Sequence, residues 1–225
     1  MHAASNLLPK GETEQVRVLA REIGVRLLIE SVEPLTWQDV AANPVDRCYH
    51  CKKRIYSLFL ETLRLHDIAC LMDGTNQDDL DDDRPGLLAI KELGVVTPLA
   101  QAGLTKSEVR QLSRELGLPT WNRPSSSCLA TRICSGMALT SEKILLVAQG
   151  EEYLITHGFL GCRLRLGPDR AVLELAHGDM ERFVKTEVRN MVLQHLNHLG
   201  LPKIFLDLQE RPAARCYPEQ AHAVS

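Results

Sequence analysis

Cys128 lies in a loop whose composition suits reactive chemistry. Residues 121–132 read W-N-R-P-S-S-S-C-L-A-T-R, and the proline and three serines favour an exposed, non-helical path. Arg123 and Arg132 flank the cysteine, and nearby cations stabilise a thiolate over a thiol. The hydroxyl and amide donors of the loop could also bind an anion. The pattern predicts that Cys128 is a nucleophile, a sulfur donor or a cluster ligand; the alternative is a buried cysteine with no chemical role.

Two further cysteines, Cys48 and Cys51, form a C-x-x-C motif at the predicted start of a helix. Asp46 is a suitable N-cap for that helix. Its apolar face continues through Ile55, Leu58, Phe59, Thr62 and Leu63. The unpaired N–H groups and positive dipole end of a helix start lower thiol pKa values and favour bound anions. A zinc half-site and a redox pair are the alternatives, the second weakened because no strand directly precedes the motif.

Polar residues follow a predicted strand at residues 68–73. Carboxyl ends of strands are where ligands bind in open α/β sheets, so we predict a ligand site at this point. Its residues are Asp73, Gly74, Thr75 and Asn76. We interpret the acidic run that follows, Asp78, Asp79, Asp81, Asp82 and Asp83, as a solvated loop with helix-capping duty.

The composition is that of an ordinary globular protein and narrows the function classes. The 225 residues are 44% hydrophobic and 24% charged, which suffices for one large domain or two small ones. A net charge of -3 without a basic stripe argues against nucleic acid as a partner. Because no apolar run reaches the length of a membrane span and the first ten residues lack a signal core, we expect a cytoplasmic protein. Seven irregularly spaced cysteines favour metal, cluster or catalytic roles over a disulfide framework.

The elements that must position these residues follow an α/β pattern in the first half of the chain. We predict helices at 11–24 and 87–93, strands at 25–29, 68–73 and 95–99, and a helix that a capping box opens at Thr105 and Gly117 ends. A helix followed at once by a strand predicts that a preceding strand and its phosphate-binding loop are absent.

The second half of the chain has a different pattern. A helix to about residue 157, strands at 162–166 and 171–175, a long helix at 179–199 and a strand at 203–208 predict a small antiparallel α+β domain. We therefore divide the chain into an α/β domain at 1–123, a cysteine loop and linker at 124–139, the small domain at 140–208 and a mobile tail at 209–225.

Three motifs together resemble the LarE-type ATP-dependent sulfur transferases of the PP-loop ATP-pyrophosphatase superfamily. They are N-P-V-D-R-C-Y-H-C-K at 43–52, D-G-T-N at 73–76 with R-P-G at 84–86, and L-P-T-W at 118–121 with C-L-A-T-R at 128–132. The resemblance runs from about residue 12 to about residue 207. It implies a Rossmann-like parallel sheet of the adenine nucleotide alpha-hydrolase type, truncated at its N-terminus, plus the small α+β domain.

The resemblance also implies a reaction. The family uses ATP to adenylate a carboxylate of pyridinium-3,5-biscarboxylic acid mononucleotide and converts it to a thiocarboxylate in nickel-pincer nucleotide synthesis. The implied cofactors are ATP, Mg²⁺ and a [4Fe-4S] cluster held by Cys48, Cys51 and Cys128, whose free iron binds sulfide. In other members the cysteine that matches Cys128 gives up its own sulfur. Residues 73–76 would bind the nucleotide.

Basic residues complete the implied site. Lys52, Arg132 and Arg165 are expected to hold the phosphate or carboxylate of a small-molecule nucleotide substrate. We also expect a homo-oligomer, with neither nucleic acid nor a membrane as a partner.

The sequence departs from the family pattern at several points. It lacks the S-G-G-x-D-S loop that wraps the ATP phosphates, has Leu166 where histidine is frequent, and reads E-R-P at 210–212 in place of glycine-tyrosine-arginine. A non-catalytic cluster-binding remnant or partner subunit is therefore an alternative. Another PP-loop enzyme, for tRNA thiolation or amide synthesis, is a second, although the low basic charge argues against tRNA.

Overall fold

The computed structural model describes residues 1–80, 85–123, 126–201, 203–209 and 211. Within these ranges the chain has a mixed α/β fold. The helices are α1 (Glu12–Glu22), α2 (Gln38–Ala41), α3 (Arg47–Leu65), α4 (Gln77–Leu80), α5 (Pro85–Glu92), α6 (Pro98–Gln101), α7 (Lys106–Glu115), α8 (Ser141–Thr156), α9 (Met180–Phe183) and α10 (Thr186–His198). The strands are β1 (His2–Ala4), β2 (Ile29–Ser31), β3 (Arg163–Leu166), β4 (Arg170–Glu174) and β5 (Lys203–Leu206).

The N-terminal unit is a β1-α1-β2 crossover in which β1 and β2 pair in parallel. A strand therefore precedes the first helix, and the expectation that this strand is absent is wrong. The strand predicted at 25–29 is also misplaced, because Val25 is part of the capping motif that follows α1. Gly24 adopts a left-handed conformation there, and Val25 N donates to Ala20 O at 3.0 Å, as in a Schellman motif. Val25 is accordingly 53% exposed.

The strands predicted at 68–73 and 95–99 are reduced to one parallel bridge between Met72 and Val96. Asp73 N donates to Val96 O, and Val96 N donates to Leu71 O, each at 2.9 Å. Pro98 opens α6 two residues later and ends the extended segment. The α/β class is confirmed in this coarse form, while the Rossmann-like arrangement of the sheet stays a prediction.

The capping signals in the sequence are confirmed for α7 but not for the side chain of Asp46 at the start of α3. Thr105 and Glu108 form the predicted capping box of α7, and Gly117 follows its end with a positive φ of 70°. Asp46 occupies the N-cap position of α3 but makes no capping hydrogen bond from its side chain. Its carboxylate lies instead 3.1 Å from the ring of His50.

The second half folds as helix, hairpin, helix and strand, as predicted, but its sheet is mixed. Strands β3 and β4 are antiparallel, and β5 then pairs with β4 in parallel, so the expectation of an antiparallel sheet is wrong for that pair. The long helix predicted at 179–199 is broken between α9 and α10, where Lys185 has an extended ψ of 132°.

One hydrophobic core continues from this sheet into the first half of the chain. Leu154 of α8, Leu164 of β3 and Leu196 of α10 are fully buried in it, together with Val40. The four-part division of the chain stays a prediction, and the predicted tail lies outside the described residues except for 209 and 211. Among the described helices, none has the length and apolar character that crossing a membrane requires.

Candidate functional site

The N-terminal half of α3 presents both cysteines of the C-x-x-C motif. Cys48 lies in the first turn and is exposed, and Cys51 lies one turn later and is half-buried. Burial, together with the nearby sulfurs of Cys128 and Cys48, raises the pKa of the Cys51 thiol to about 12. The expectation that the helix start lowers the thiol pKa is thus wrong for Cys51. These electrostatic effects also indicate that the three predicted cysteines lie in one region of the fold.

These three sulfurs do not form a preformed metal cage. Across the described ranges, no group of three or more histidine, cysteine, aspartate or glutamate side chains is arranged to hold a metal ion. The donor set nevertheless fits an iron–sulfur cluster chemically, because three thiols share one region and Cys128 and Cys48 disfavour the ionisation of Cys51. A bound cationic centre would relieve that repulsion, since it stabilises thiolates.

A buried ion pair holds the loop that carries Cys128. Arg132 and Glu151 of α8 are 5% and 6% exposed, and two hydrogen bonds of 2.9 and 3.1 Å join them. Arg132 Nη1 also donates to the carbonyl of Ser127 at 2.9 Å and to the carbonyl of Cys128 at 3.3 Å. Arg132 was predicted to bind phosphate, but in the structure its N–H groups donate to Glu151 and to carbonyls of the cysteine loop. Sequence reasoning missed Glu151, whose neighbours at helical spacing gave no sign of a buried carboxylate.

Cys48 and three of the four predicted nucleotide residues, Asp73, Gly74 and Thr75, line one cavity of about 610 Å³. Its walls are Cys48, Lys52, Asp73, Gly74, Thr75, Asp79, Pro85, Gly86 and Leu87. Arg84 of the R-P-G motif and Asp81 to Asp83 lie outside the described residues. A smaller cavity of about 270 Å³ beside Trp37 contains none of the predicted site residues.

Asp73 is the charged centre of the larger cavity. It accepts hydrogen bonds from the hydroxyls of Tyr56 and Thr75, and Lys52 Nζ lies 3.5 Å from its Oδ2. Burial acts to raise the pKa of this carboxyl, but the bonds from Thr75 and Tyr56 and the charge of Lys52 together hold the pKa below its ordinary value. Asp73 is therefore an anion at neutral pH, held rigidly at the strand end where a ligand site was predicted.

Asn76 lies next to the cavity residues in the chain, and Gly86 is part of the cavity wall. Asn76 is buried, and within the described residues its Oδ1 has no hydrogen-bond partner. Gly86 lies against α3 so closely that an added Cβ would come within 3.3 Å of Lys52 Cδ. A side chain at position 86 would thus displace the lysine, and glycine leaves room for Lys52 beside Asp73.

A patch of arginines lies on the outer face of the β3-β4 hairpin. Arg165 Nη1 donates to Thr131 O at 2.9 Å, which links the patch to the cysteine loop, and Arg165 also pairs with Glu174. Arg163 lies on the same face. Burial, together with the nearby charges of Arg211, Arg132 and Arg165, lowers its pKa to about 10, although the charge of Glu174 acts in the opposite direction. Sequence reasoning missed Arg163, although its alternation with Leu164 could have paired it with Arg165.

The sequence is similar to known proteins over most of its length. It is 34% identical over 204 residues to an uncharacterized protein of Synechocystis sp., covering 91% of this chain and 76% of the relative. An uncharacterized protein of Methanocaldococcus jannaschii is 26% identical over 170 residues, covering 76% of this chain and 66% of that protein. No protein-family model matches the chain.

A third relative carries a functional name. The pyridinium-3,5-bisthiocarboxylic acid mononucleotide synthase of Lactiplantibacillus plantarum is 32% identical over 206 residues, covering 92% of this chain and 74% of the synthase. With that identity across nearly the whole chain, the family resemblance inferred from the three motifs is confirmed, and this protein belongs to the LarE-type family of the synthase.

Proposed function

We propose that this protein is an ATP-dependent sulfur transferase of the PP-loop superfamily that acts in nickel-pincer nucleotide synthesis. Its substrate would be pyridinium-3,5-biscarboxylic acid mononucleotide, one carboxylate of which becomes a thiocarboxylate. The observation that carries this proposal is the cavity that Cys48 shares with Lys52, Asp73, Gly74 and Thr75. Sulfur transfer to an adenylated carboxylate requires a sulfur atom close to the bound nucleotide. Cys48 lies in the same cavity as the strand end where we expect the nucleotide to bind.

The reaction follows from the poor electrophilicity of a carboxylate. Attack of the carboxylate oxygen on the α-phosphorus of ATP forms an acyl-adenylate and releases pyrophosphate, with Mg²⁺ accompanying the phosphates. A sulfur nucleophile then adds to the carbonyl carbon, and AMP leaves with the carboxylate oxygen. Holding both reactants in one cavity lowers the entropic part of the barrier.

Residues at the strand end would bind the nucleotide. Gly74 and Thr75 offer polar groups on the cavity wall, and the buried Asn76 directly follows them in the chain. Lys52 supplies a positive charge for phosphate, and its 3.5 Å contact with Asp73 orients it. The half-buried Arg165 and Arg163 supply further charge for the substrate anion on the hairpin that contacts the cysteine loop.

Cys48, Cys51 and Cys128 are the residues that would hold a [4Fe-4S] cluster. When bound, the cluster would supply sulfide as the sulfur donor. If the cluster is not used, Cys128 would be the donor of its own sulfur. The proximity of the three sulfurs supports the first route, since a sacrificial cysteine alone needs no partners.

Iron retention tests the ligand set. Protein reconstituted anaerobically with iron and sulfide is expected to retain iron in the wild type but not after Cys48→Ser, Cys51→Ser or Cys128→Ser. Cys70→Ser is the matched control, because Cys70 is also exposed but is not among the three sulfurs. Equal iron content in the Cys48→Ser and Cys70→Ser proteins would contradict the assignment.

Pyrophosphate release tests the adenylation. With ATP, Mg²⁺ and the dicarboxylate nucleotide, release is expected to depend on the nucleotide and to fall when Asp73→Asn removes the charge that faces Lys52. Release at the same rate without the nucleotide would refute the proposed substrate. Cytoplasmic location and a homo-oligomer are further parts of the proposal, and sedimentation of the purified protein would report the second.

A further inference from the structure

The start of α3 contains a buried guanidinium next to the C-x-x-C motif. Arg47 is 8% exposed, and it donates to the side-chain oxygen of Asn43, to Ala130 O at 3.0 Å and to the sulfur of Cys48 at 3.4 Å. In the part of the chain that the structure describes, no carboxylate forms an ion pair with it. Burying an arginine without a counter-charge costs free energy. The guanidinium therefore depends on its hydrogen bonds to uncharged acceptors, and these bonds hold it in one orientation.

Asn43 extends these contacts to the segment that follows Cys128. It is fully buried and has a positive φ of 56°, a conformation that asparagine tolerates better than most residues. Its Nδ2 donates to Ile133 O at 3.3 Å, to Cys134 O at 2.9 Å and to Met137 O at 3.0 Å. Its own carbonyl accepts from Gly136 N at 2.8 Å. One side chain thereby fixes residues 133–137.

The two side chains join the elements that carry the three cysteines. From the sulfur of Cys48 the contacts run through Arg47 to Ala130, two residues after Cys128, and through Asn43 to residues 133–137. Cys51 and Cys128 also pack against the shared hydrophobic core, and Leu139 N donates to Ala41 O at 2.7 Å. Rotating Arg47 would break its bonds to Cys48 and Ala130 together, while the bonds of Asn43 to residues 133–137 would remain.

We infer that Arg47 and Asn43 are positioning residues that hold Cys128 at a fixed separation from Cys48 and Cys51. The inference rests on the proposed function only in treating these sulfurs as the working group. It concerns the protein without its cluster, because every contact lies within the chain. Lysine cannot replace Arg47, since a single ammonium cannot reach Asn43, Ala130 and Cys48 with the geometry of a planar fork.

Cross-linking of the cluster-free protein tests the inference. Dibromobimane, which bridges nearby thiols, is expected to join Cys128 to Cys48 or Cys51 in the wild type, as mapped by peptide mass. The rate is expected to fall about tenfold in Arg47→Lys, because cross-linking depends on the effective concentration that the geometry sets. Asn43→Asp, which keeps the acceptor for Arg47 but loses the amide donor, is expected to slow it similarly. Arg64→Lys, an exposed position on the same helix, is the control and should react as the wild type does.

Three results would overturn the inference. They are the absence of a cross-link in the wild type, wild-type rates in both Arg47→Lys and Asn43→Asp, and loss of the helical circular dichroism in these variants, which would make the two residues necessary for folding and not for position. Iron retention measured in parallel separates this inference from the proposed function. A wild type that cross-links but retains no iron contradicts the cluster and leaves the positioning role supported.

Discussion

The buried pair of Arg132 and Glu151 offers the sharpest test of how the cysteine loop is held. Replacing Glu151 by glutamine keeps the shape but removes the charge that neutralises Arg132. Glutamine can still accept from Leu164 N, which Glu151 Oε1 now does at 2.9 Å, so strand β3 stays anchored to α8. The variant therefore isolates the charge of the pair from its other contacts.

The expected loss is large. Breaking a buried ion pair by removing one partner costs about 3–5 kcal/mol, because the other charge stays buried. Since glutamine retains one oxygen acceptor, we expect the low end, about 3 kcal/mol, a substantial part of the roughly 5–15 kcal/mol that stabilises a typical domain. Glu152→Gln is the matched control: Glu152 is the next residue, 46% exposed at its side chain and paired with Lys10 at the surface. A pair of that kind contributes about 0–1 kcal/mol.

Urea unfolding of the two variants measures these losses, and alkylation of Cys128 by iodoacetamide gives a local readout. Because Arg132 donates to the carbonyls of Ser127 and Cys128, Glu151→Gln is expected to accelerate alkylation of Cys128, whereas Glu152→Gln should not. If both variants lost less than about 1 kcal/mol and Cys128 reacted alike in both, the argument from the buried pair would be refuted.

Three further substitutions test the packing and electrostatics around the site. Gly150→Ala would place a Cβ 2.5 Å from Cδ2 of the fully buried Leu164, so overpacking of about 1–3 kcal/mol should outweigh a helix-propensity gain of about 1 kcal/mol, and the melting temperature should fall. Burial raises the pKa of Cys162 to about 12 from 9.0, so the stability that its neutral thiol contributes is lost as pH rises from 9 to 12; the stability difference from Cys162→Ala should shrink there by up to about 1.4 kcal/mol per pH unit, and a constant difference would contradict it. Tyr56→Phe removes a hydrogen bond to the ionised Asp73 and should cost about 1.5–3 kcal/mol above pH 3.8. Since the pKa of Asp73 is depressed in the folded state, this loss should shrink as pH falls from 3.8 through the lower folded-state pKa, and an equal loss at low pH would count against it.

Local signals predicted where α1 and α7 end or begin, because these signals lie in neighbouring residues of the sequence. The Schellman end of α1 and the capping box of α7 stand in the sequence as a glycine after an apolar stripe and as T-x-x-E. Non-local pairing carries no such signal. The parallel partnership of β4 and β5 spans α9 and α10, and β1 is only three residues long, so neither could be inferred from periodicity.

The candidate residues of the site could be predicted from the sequence, but the residues that support them could not. Cys48, Cys51 and Cys128 stand out because few other roles suit such cysteines. Arg47 and Glu151 look like any surface charge until tertiary packing buries them, and Glu151 lies on a helix beside the exposed Glu152. A buried polar residue is identified by its partners, and these partners come from distant parts of the chain.

The arginines near the cysteine loop differ in how many donors remain for a ligand. Arg132 is buried, and Glu151 and the loop carbonyls occupy its guanidinium, so substituting it should change the position of Cys128 more than the affinity for substrate. Arg165 divides its donors between Glu174 and Thr131 O. Arg163, in contrast, has no hydrogen-bond partner among the described residues, although it is half-buried and surrounded by like charges that lower its pKa. An anion placed there would relieve the repulsion from these arginines, which Glu174 offsets only in part, so of the three arginines Arg163 is the best candidate to receive the phosphate of the proposed substrate.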